Sequence, residues 1–258
     1  IFVVIFFLSS TSESKNFNSI LINGNERVSN ETILVFSDIP DQQSLDANSI
    51  NLILKKLYET GFFKDVVVKL ENENLIINVV ENPIIQTIFI KGIKKKKIKE
   101  SISELLILRD RSSFNIDKVK KDEIIISNYL KDKGYYFATV TSSFEDLGNN
   151  KIDLSYEVEL GSKAKISKIS FIGEKKFKTS TLKNVIISEE YKFWKIISGK
   201  KFLNETMINY DKRLLGNFYK NKGYYNVSIN SSFANYLGNS DFEIIYNISP
   251  GKKYYFNE

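Results

Sequence analysis

The chain has 258 residues, 42% of them hydrophobic and 13% aromatic, and it contains no cysteine and no histidine. Without cysteine there is no disulfide framework and no thiolate zinc site. Without histidine there is no imidazole metal site and no histidine-based catalytic triad. An enzyme would have to work with carboxylates, lysine, tyrosine or serine alone. We therefore expect no enzyme, no cofactor and no metal site.

The net charge of +6 is distributed unevenly along the chain. Residues 20–83 carry 5 basic and 10 acidic groups, residues 88–161 carry 14 and 12, and residues 162–251 carry 15 and 7. Such a gradient can orient a protein toward an anionic surface, but solvated surface lysines are the simpler interpretation.

The first eight residues are all apolar and are followed by small polar residues. As a helix they would span only ~12 Å, whereas the hydrocarbon core of a bilayer is ~30 Å thick. The pattern is typical of the end of a secretory signal. Residues 1–14 are therefore expected to be a truncated signal peptide, which predicts export from the cytoplasm.

An internal repeat is the strongest signal in the sequence. Three short β-rich runs each stop at a glycine, namely Gly24, Gly92 and Gly173. A glycine followed by two aromatic residues comes later in each repeat: Gly61-Phe62-Phe63, Gly134-Tyr135-Tyr136 and Gly223-Tyr224-Tyr225. The first glycines are 68 and 81 residues apart, so each repeat has the size of a small domain.

Between the two glycines of each repeat the pattern is helical. Apolar residues stand eight and four positions before the second glycine, which places both on one helix face. These pairs are Ile53 and Leu57, Ile126 and Leu130, and Leu215 and Tyr219. The second glycine is expected to be a left-handed helix cap. Asn30 and Ser180 are expected to be the N-caps of a shorter, preceding helix.

After the second glycine the period drops to two, and a polar turn separates two runs that predict a β-hairpin. Each repeat is thus β-α-α-β-β. The predicted fold class is α+β, with tandem domains in which two helices cover one face of a three-stranded mixed sheet. The predicted domains are residues 20–83, 84–161 and 162–251, and residues 252–258 are expected to start a fourth.

These features resemble the POTRA family, and the resemblance covers residues 20–251. It implies a periplasmic scaffold of the outer-membrane β-barrel assembly machinery in a Gram-negative bacterium, anchored through a C-terminal membrane β-barrel of the same protein. The implied partners are unfolded outer-membrane protein clients, a BamB-like propeller lipoprotein and other lipoproteins of that machinery, and a periplasmic chaperone such as SurA. No nucleic acid is expected.

The resemblance also implies where partners bind, by β-augmentation of the strand that follows the Gly-aromatic pair. Transferred residue by residue, the edge strands comprise Val66, Val67 and Val68, Ala138, Thr139 and Val140, and Val227, Ser228 and Ile229. Trp194 lies in an insertion between the helices of the third repeat. It is either a partner anchor or a residue packed on its own helices, and packing is the favoured interpretation.

Other functions remain open from the sequence. A POTRA arm of a two-partner secretion or TamA-type translocator has the same repeats, and a carboxylate- or lysine-based enzyme or a nucleic-acid binder belongs to another class. The basic run at residues 94–97 is interpreted as a solvated strand-to-helix turn. The acidic pairs Asp122-Glu123 and Glu189-Glu190 are interpreted as surface charge.

Overall fold

The structure is a computed structural model that describes residues 15–39, 44–173, 175–194 and 199–255. The predicted signal peptide therefore lies outside the described residues. The chain divides into two compact units. The first comprises the described residues up to 89, with residues 107–120 and 144–154. The second comprises residues 90–106 and 121–143 and the described residues from 155 onward.

The elements follow the predicted repeat order. The first repeat contains β1 (Lys15–Asn16), β2 (Ser19–Asn23), α1 (Asn30–Ser37), β3 (Ser44–Leu45), α2 (Ala47–Glu59), β4 (Phe63–Glu71) and β5 (Asn74–Glu81). The second contains β6 (Ile84–Lys91), α3 (Lys96–Leu105), α4 (Ile116–Asp132), β7 (Thr139–Gly148) and β8 (Lys151–Glu159). The third contains β9 (Lys165–Gly173), α5 (Thr179–Val185), a short 3-10 helix (Gly199–Lys201), α6 (Glu205–Asn221), β10 (Ser228–Gly238) and β11 (Asp241–Ser249).

Three three-stranded sheets have the same strand order. The last strand of each repeat is central, in the orders β2-β5-β4, β6-β8-β7 and β10-β11-β9. In the first and third sheets the first strand pairs parallel with the central strand and the hairpin strand pairs antiparallel. The sheets are therefore mixed, and the predicted α+β class is confirmed.

The core of each repeat forms where helices cover one sheet face. All six helix residues predicted from the glycine spacing are buried: Ile53, Leu57, Ile126, Leu130, Leu215 and Tyr219. In the first repeat, Ile53 and Leu57 pack in one cluster with Val66 and Ile77 of the sheet. Burial of one such side chain is worth about 1.5–3 kcal/mol, so these positions are the main local source of stability.

The predicted turns are also present. Gly61, Gly134 and Gly223 have φ of 72°, 87° and 90°, as left-handed helix caps require. The hairpins turn at pairs of consecutive residues with positive φ, which is the type I′ geometry. These pairs are Asn72 and Glu73, Asn149 and Asn150, and Asn239 and Ser240.

The glycine that ends each first strand is required by close approach. At Gly24, Gly92 and Gly173, a Cβ atom would overlap the carbonyl oxygen of Val79, Val158 and Ile248, respectively. All three glycines also have φ above 80°, which other residues rarely adopt. The repeated glycine thus lets the chain turn away over the central strand.

The N-cap predictions were wrong by one or two residues. Ser29 has an extended backbone, and its hydroxyl accepts the N–H of Thr32, so α1 begins at Asn30. Helix α5 begins at Thr179 after Lys178, which makes no side-chain cap. Among the helices of the described residues, none is both long and apolar enough to cross a bilayer.

Candidate functional site

The candidate site is the outer edge of the hairpin strand in each sheet. The strand order places β4, β7 and β10 at sheet edges, each with only its central strand as a sheet partner among the described residues. An edge strand has one row of backbone N–H and C=O groups that no sheet neighbour satisfies. Each of the three repeats therefore offers a backbone surface to which an extended segment can pair.

The predicted edge residues lie in these strands, with one correction. Val66, Val67 and Val68 lie inside β4, whereas β7 begins at Thr139 and β10 at Ser228. Ala138 and Val227 each precede the strand by one residue, because their N–H groups donate to the carbonyls of Tyr135 and Tyr224 at 3.2 and 3.3 Å. These turn bonds delay the start of pairing in the second and third repeats.

The side chains on β4 alternate as a half-buried strand requires. Val66 and Val68 are buried, and Val67 is 45% exposed on the opposite face of the sheet. Val80 of the central strand is 52% exposed on that same face. The uncovered sheet face of the first repeat is thus partly apolar, next to an unpaired backbone edge.

The direction of the backbone groups on β4 follows from its turn. Glu71 and Asn74 pair across the two-residue turn, and the register then runs without a shift back to Val66. Because N–H and C=O direction alternates along an edge strand, those of Val66, Val68 and Leu70 point away from β5. Within the described part of the chain, the outward groups of Val68 and Leu70 meet no hydrogen-bond partner.

One outward group on β4 is already occupied. The N–H of Val66 donates to the hydroxyl oxygen of Tyr58 at 3.1 Å and to the side chain of Asp65 at 3.0 Å. The Tyr58 hydroxyl in turn donates to the Asp65 carboxylate at 3.0 Å. A segment that pairs with the full edge must displace the tyrosine, whereas pairing beyond Val66 need not.

The opposite edge is covered at its start in the second and third repeats. Bridges join Ile84 to Ser113 and Lys165 to Phe202, each between the first strand and the inter-helix segment. In the first repeat, β1 and β3 pair in a separate two-stranded sheet. In the second and third repeats the hairpin strand is therefore the more accessible edge.

The structure corrects the favoured interpretation of Trp194. Its side chain is 62% exposed, and that of its neighbour Phe193 is 78% exposed. The two rings contact each other edge to face, with centroids 4.8 Å apart. The Trp194 side chain therefore lies mostly in solvent instead of packing on the helices of the third repeat.

The acidic pairs were also misinterpreted in part. Asp122 is fully buried and accepts a hydrogen bond from the Tyr156 hydroxyl at 3.0 Å. Glu190 is partly buried and accepts the N–H of Ile169 and an ammonium proton of Lys183, at 2.9 and 2.6 Å. Both carboxylates hold the fold together, although sequence reasoning had assigned them to the solvated surface.

The basic run is solvated, but it lies only partly in the turn. Residues 94–97 are all exposed, and Lys96 and Lys97 are the first two residues of α3. Among the described residues there is no group of three or more acidic, histidine or cysteine side chains suited to a metal ion. The features that stand out in the described chain are therefore edges and surface aromatic rings.

The geometry defines a chain of small α+β repeats, each with a backbone edge open to an added strand. The chain belongs to the POTRA family, described as "surface antigen variable number repeat", whose model matches residues 83–161 and 164–251. These ranges account for more than half of the sequence.

Curated relatives support this assignment over most of the chain. The outer membrane protein assembly factor BamA of Neorickettsia risticii is 23% identical over 254 residues, covering 98% of this chain and 34% of the relative. BamA of Neisseria meningitidis serogroup B is 25% identical over 213 residues, covering 81% of this chain and 27% of the relative. The chain thus spans about a third or less of the length of these relatives.

A solved structure is also similar. The crystal structure of POTRA domains 3–5 of BamA from Haemophilus influenzae covers 94% of this chain and 99% of its own, at 18% identity and a TM-score of 0.41. The insertion around Trp194 predicts a resemblance to BamA in particular, and the names of the relatives agree with that prediction.

Proposed function

We propose that the chain is the receptor arm of an outer-membrane protein assembly factor. In this role it binds extended segments of unfolded outer-membrane proteins by adding them as strands to β4, β7 and β10. The observation that carries the proposal is the repeated edge position of these hairpin strands. Backbone pairing tolerates many side-chain sequences, which suits a receptor with many clients.

The remaining partners and the location belong to the same proposal. The arm would lie on the periplasmic side of the outer membrane, attached to a β-barrel of the same protein. BamB-like and other lipoproteins, and a chaperone such as SurA, would share the edges with clients. The names of the BamA relatives support an assembly role.

Disulfide trapping tests the edge mechanism, because the chain has no cysteine of its own. Val67→Cys places a thiol on β4, and Val80→Cys places a matched thiol on the central strand. The probe is a ten-residue peptide patterned like a transmembrane β-strand, with one cysteine. A strand added to β4 lies about 4.8 Å from it and about twice as far from β5, while a disulfide needs Cα atoms within about 7 Å.

We expect Val67→Cys to form the mixed disulfide and Val80→Cys to fail. Equal trapping at both positions would show that the peptide lies across the apolar sheet face, and this would contradict strand addition. No trapping at Val67→Cys by a folded variant would also contradict it.

A translocator arm of the two-partner or TamA type would use the same edge for one dedicated substrate. Competition separates the two functions. Unlabelled peptides from unrelated β-barrel strands should reduce trapping of the probe by a general receptor. They should leave trapping unchanged for an arm that binds a single substrate.

A further inference from the structure

The segment between the helices of the third repeat carries two adjacent exposed aromatic residues, Phe193 and Trp194, which we call the aromatic tip. These are large apolar side chains in solvent, at 78% and 62% exposure. Their edge-to-face contact, with rings at 86°, orders the two side chains relative to each other. The segments between helices in the other two repeats carry no comparable pair in the described residues.

The base of this segment is fixed to the fold. The N–H of Glu189 donates to the carbonyl of Lys200 at 3.0 Å, which closes the segment into a loop. The N–H of Tyr191 donates to the carbonyl of Ile166 on β9 at 2.6 Å. The segment is thus attached to β9 three residues before Trp194.

Two carboxylates, one buried and one partly buried, also bind this segment. Asp211 of α6 accepts the N–H of Ile187 at 2.7 Å. Glu190 is bound by Ile169 and Lys183; although burial opposes its ionisation, these donors hold the pKa of Glu190 below its ordinary value. Two carboxylates, the buried Asp211 and the partly buried Glu190, therefore bind the segment that leads to the exposed tip.

The surroundings of the tip are basic. The Nζ atom of Lys192 lies 5.7 Å from the centre of the Trp194 ring. Lys192 and Lys200 are both exposed. Lys200 lies at the base of the loop, where its carbonyl accepts the N–H of Glu189. A partner for this tip must accept aromatic rings beside positive charge.

We propose that the aromatic tip binds the surface of an anionic lipid bilayer. Trp194 and Phe193 would lie at the headgroup level, where amphipathic and aromatic rings are favoured. Lys192 and Lys200 would meet lipid phosphates, each contributing through the negative surface potential of the membrane. This inference goes beyond the proposed receptor function, since it uses a different surface and a different ligand.

The size of the tip favours a membrane over a protein partner. Two aromatic side chains bury about 150–250 Å² each, whereas a stable protein interface buries roughly 800 Å² on each side. A bilayer needs no complementary surface beyond the rings and the nearby lysines. The tip alone is therefore large enough to contact a membrane and too small for a specific protein interface.

The test uses Trp194 itself, because it is the only tryptophan in the sequence. The full chain is titrated with vesicles of phosphatidylglycerol and phosphatidylcholine, and with vesicles of phosphatidylcholine alone. We expect the Trp194 emission to shift to shorter wavelength with the anionic vesicles only, and to return on adding salt. Brominated acyl chains in the anionic vesicles should quench it.

Matched variants separate the tip from the rest of the chain. Lys192→Ser and Lys200→Ser should each weaken the spectral titration by about fivefold, and Phe193→Ala should weaken it further. The control is a second exposed pair, Lys253 and Tyr255, whose Nζ-to-ring distance is 4.9 Å. Lys253→Ser and Tyr255→Ala should leave the titration unchanged. All variants share the same apolar residues 1–8, so any membrane binding by those residues is the same in each titration.

Three results would overturn the proposal. One is an unchanged Trp194 spectrum with anionic vesicles, for a chain that is folded by circular dichroism. Another is an equal shift with phosphatidylcholine alone. The third is a protein ligand whose binding requires Trp194 while the vesicles leave its spectrum unchanged. None of these results bears on peptide trapping at β4, so the two proposals fail independently.

Discussion

The hydroxyl of Tyr246 on the central strand β11 donates to the carboxylate of Asp211 on α6 at 2.9 Å, and both side chains are completely buried. The second repeat contains the same pair, Tyr156 and Asp122. Burial, and then the neighbouring aspartate, raise the pKa of both tyrosines, so each keeps its proton and remains a donor. The pair ties the second helix of a repeat to its central strand.

The Asp211 contacts predict a graded loss of stability. Tyr246→Phe removes one bond while Asp211 keeps two backbone donors, Ile187 and Ser188, so a cost of about 1–2 kcal/mol is expected. Asp211→Ala leaves all three donors without an acceptor and should lower the free energy of unfolding by more. Hydrogen exchange should show faster exchange at Ile187 and Ser188 in Asp211→Ala than in Tyr246→Phe. Equal exchange in the two variants would contradict the assigned role of Asp211.

Glu81 predicts a pH-dependent stability of the first repeat. Its carboxylate accepts the N–H groups of Glu26, Arg27 and Val28 at 2.8–2.9 Å. Burial opposes ionisation, but these donors and the charge of Arg27 outweigh it and lower the pKa of Glu81. The ionised group is therefore bound more strongly in the folded state than in the unfolded state.

The sign follows from linkage. The contribution of Glu81 is present above its unfolded pKa of about 4.3 and is lost as the pH falls through the lower folded value. Urea unfolding of the natural chain and Glu81→Gln should differ most at pH 7, and the difference should shrink below about pH 4. A difference that grows on acidification would contradict this account.

Tyr58 predicts a gain of binding on substitution. Tyr58→Phe removes one of the two acceptors of the Val66 N–H and leaves only the Asp65 carboxylate, so an added strand can displace this contact more easily. We expect more disulfide trapping of the strand peptide at Val67→Cys in the Tyr58→Phe background, and a stability cost of about 1 kcal/mol. Reduced trapping would mean that the hydroxyl assists pairing instead of blocking it.

Replacing glycine by alanine should have opposite effects on stability at Gly216 and Gly92. Gly216 lies within α6, where an added Cβ atom would have no neighbouring heavy atom within 4 Å, so Gly216→Ala should stabilise the third repeat by about 0.5–1 kcal/mol. Gly92→Ala should destabilise the second repeat by about 1–3 kcal/mol, because of its positive φ and the overlap with Val158. Urea unfolding followed by circular dichroism measures both, and the same sign for both would contradict the geometry.

Much of the fold was predictable because its signals are local and repeated. A left-handed cap favours glycine, and a helix that covers a sheet needs apolar residues four apart. The roles of Gly61 as a cap and Leu57 as a core residue can therefore be predicted from the sequence. The edge position of the hairpin strands came from the resemblance to the POTRA family, and the strand orders agree with it. The one-residue delay at Ala138 and Val227 was not predictable, because a turn hydrogen bond determines it.

Asp122 was interpreted as surface charge because it is a polar residue on a predicted helix, and Asp211 was not singled out. A signal was present, since Asp122 and Asp211 both stand twelve positions before the capping glycine. Recurrence at equal spacing points to a buried role more strongly than the chemistry of a single residue does. Trp194 was misjudged because its exposure depends on how the loop base is held by groups distant in sequence.

The bridges that cover the start of β6 and β9 have a consequence for folding. Tandem repeats fold beside copies of themselves, where the local concentration of similar sheets is on the order of millimolar, and unpaired edges invite misassembly between neighbours. A segment such as Ser113 or Phe202 that covers its own sheet removes one such site within the same repeat. In the second and third repeats, the inter-helix segment therefore disfavours strand exchange with another repeat.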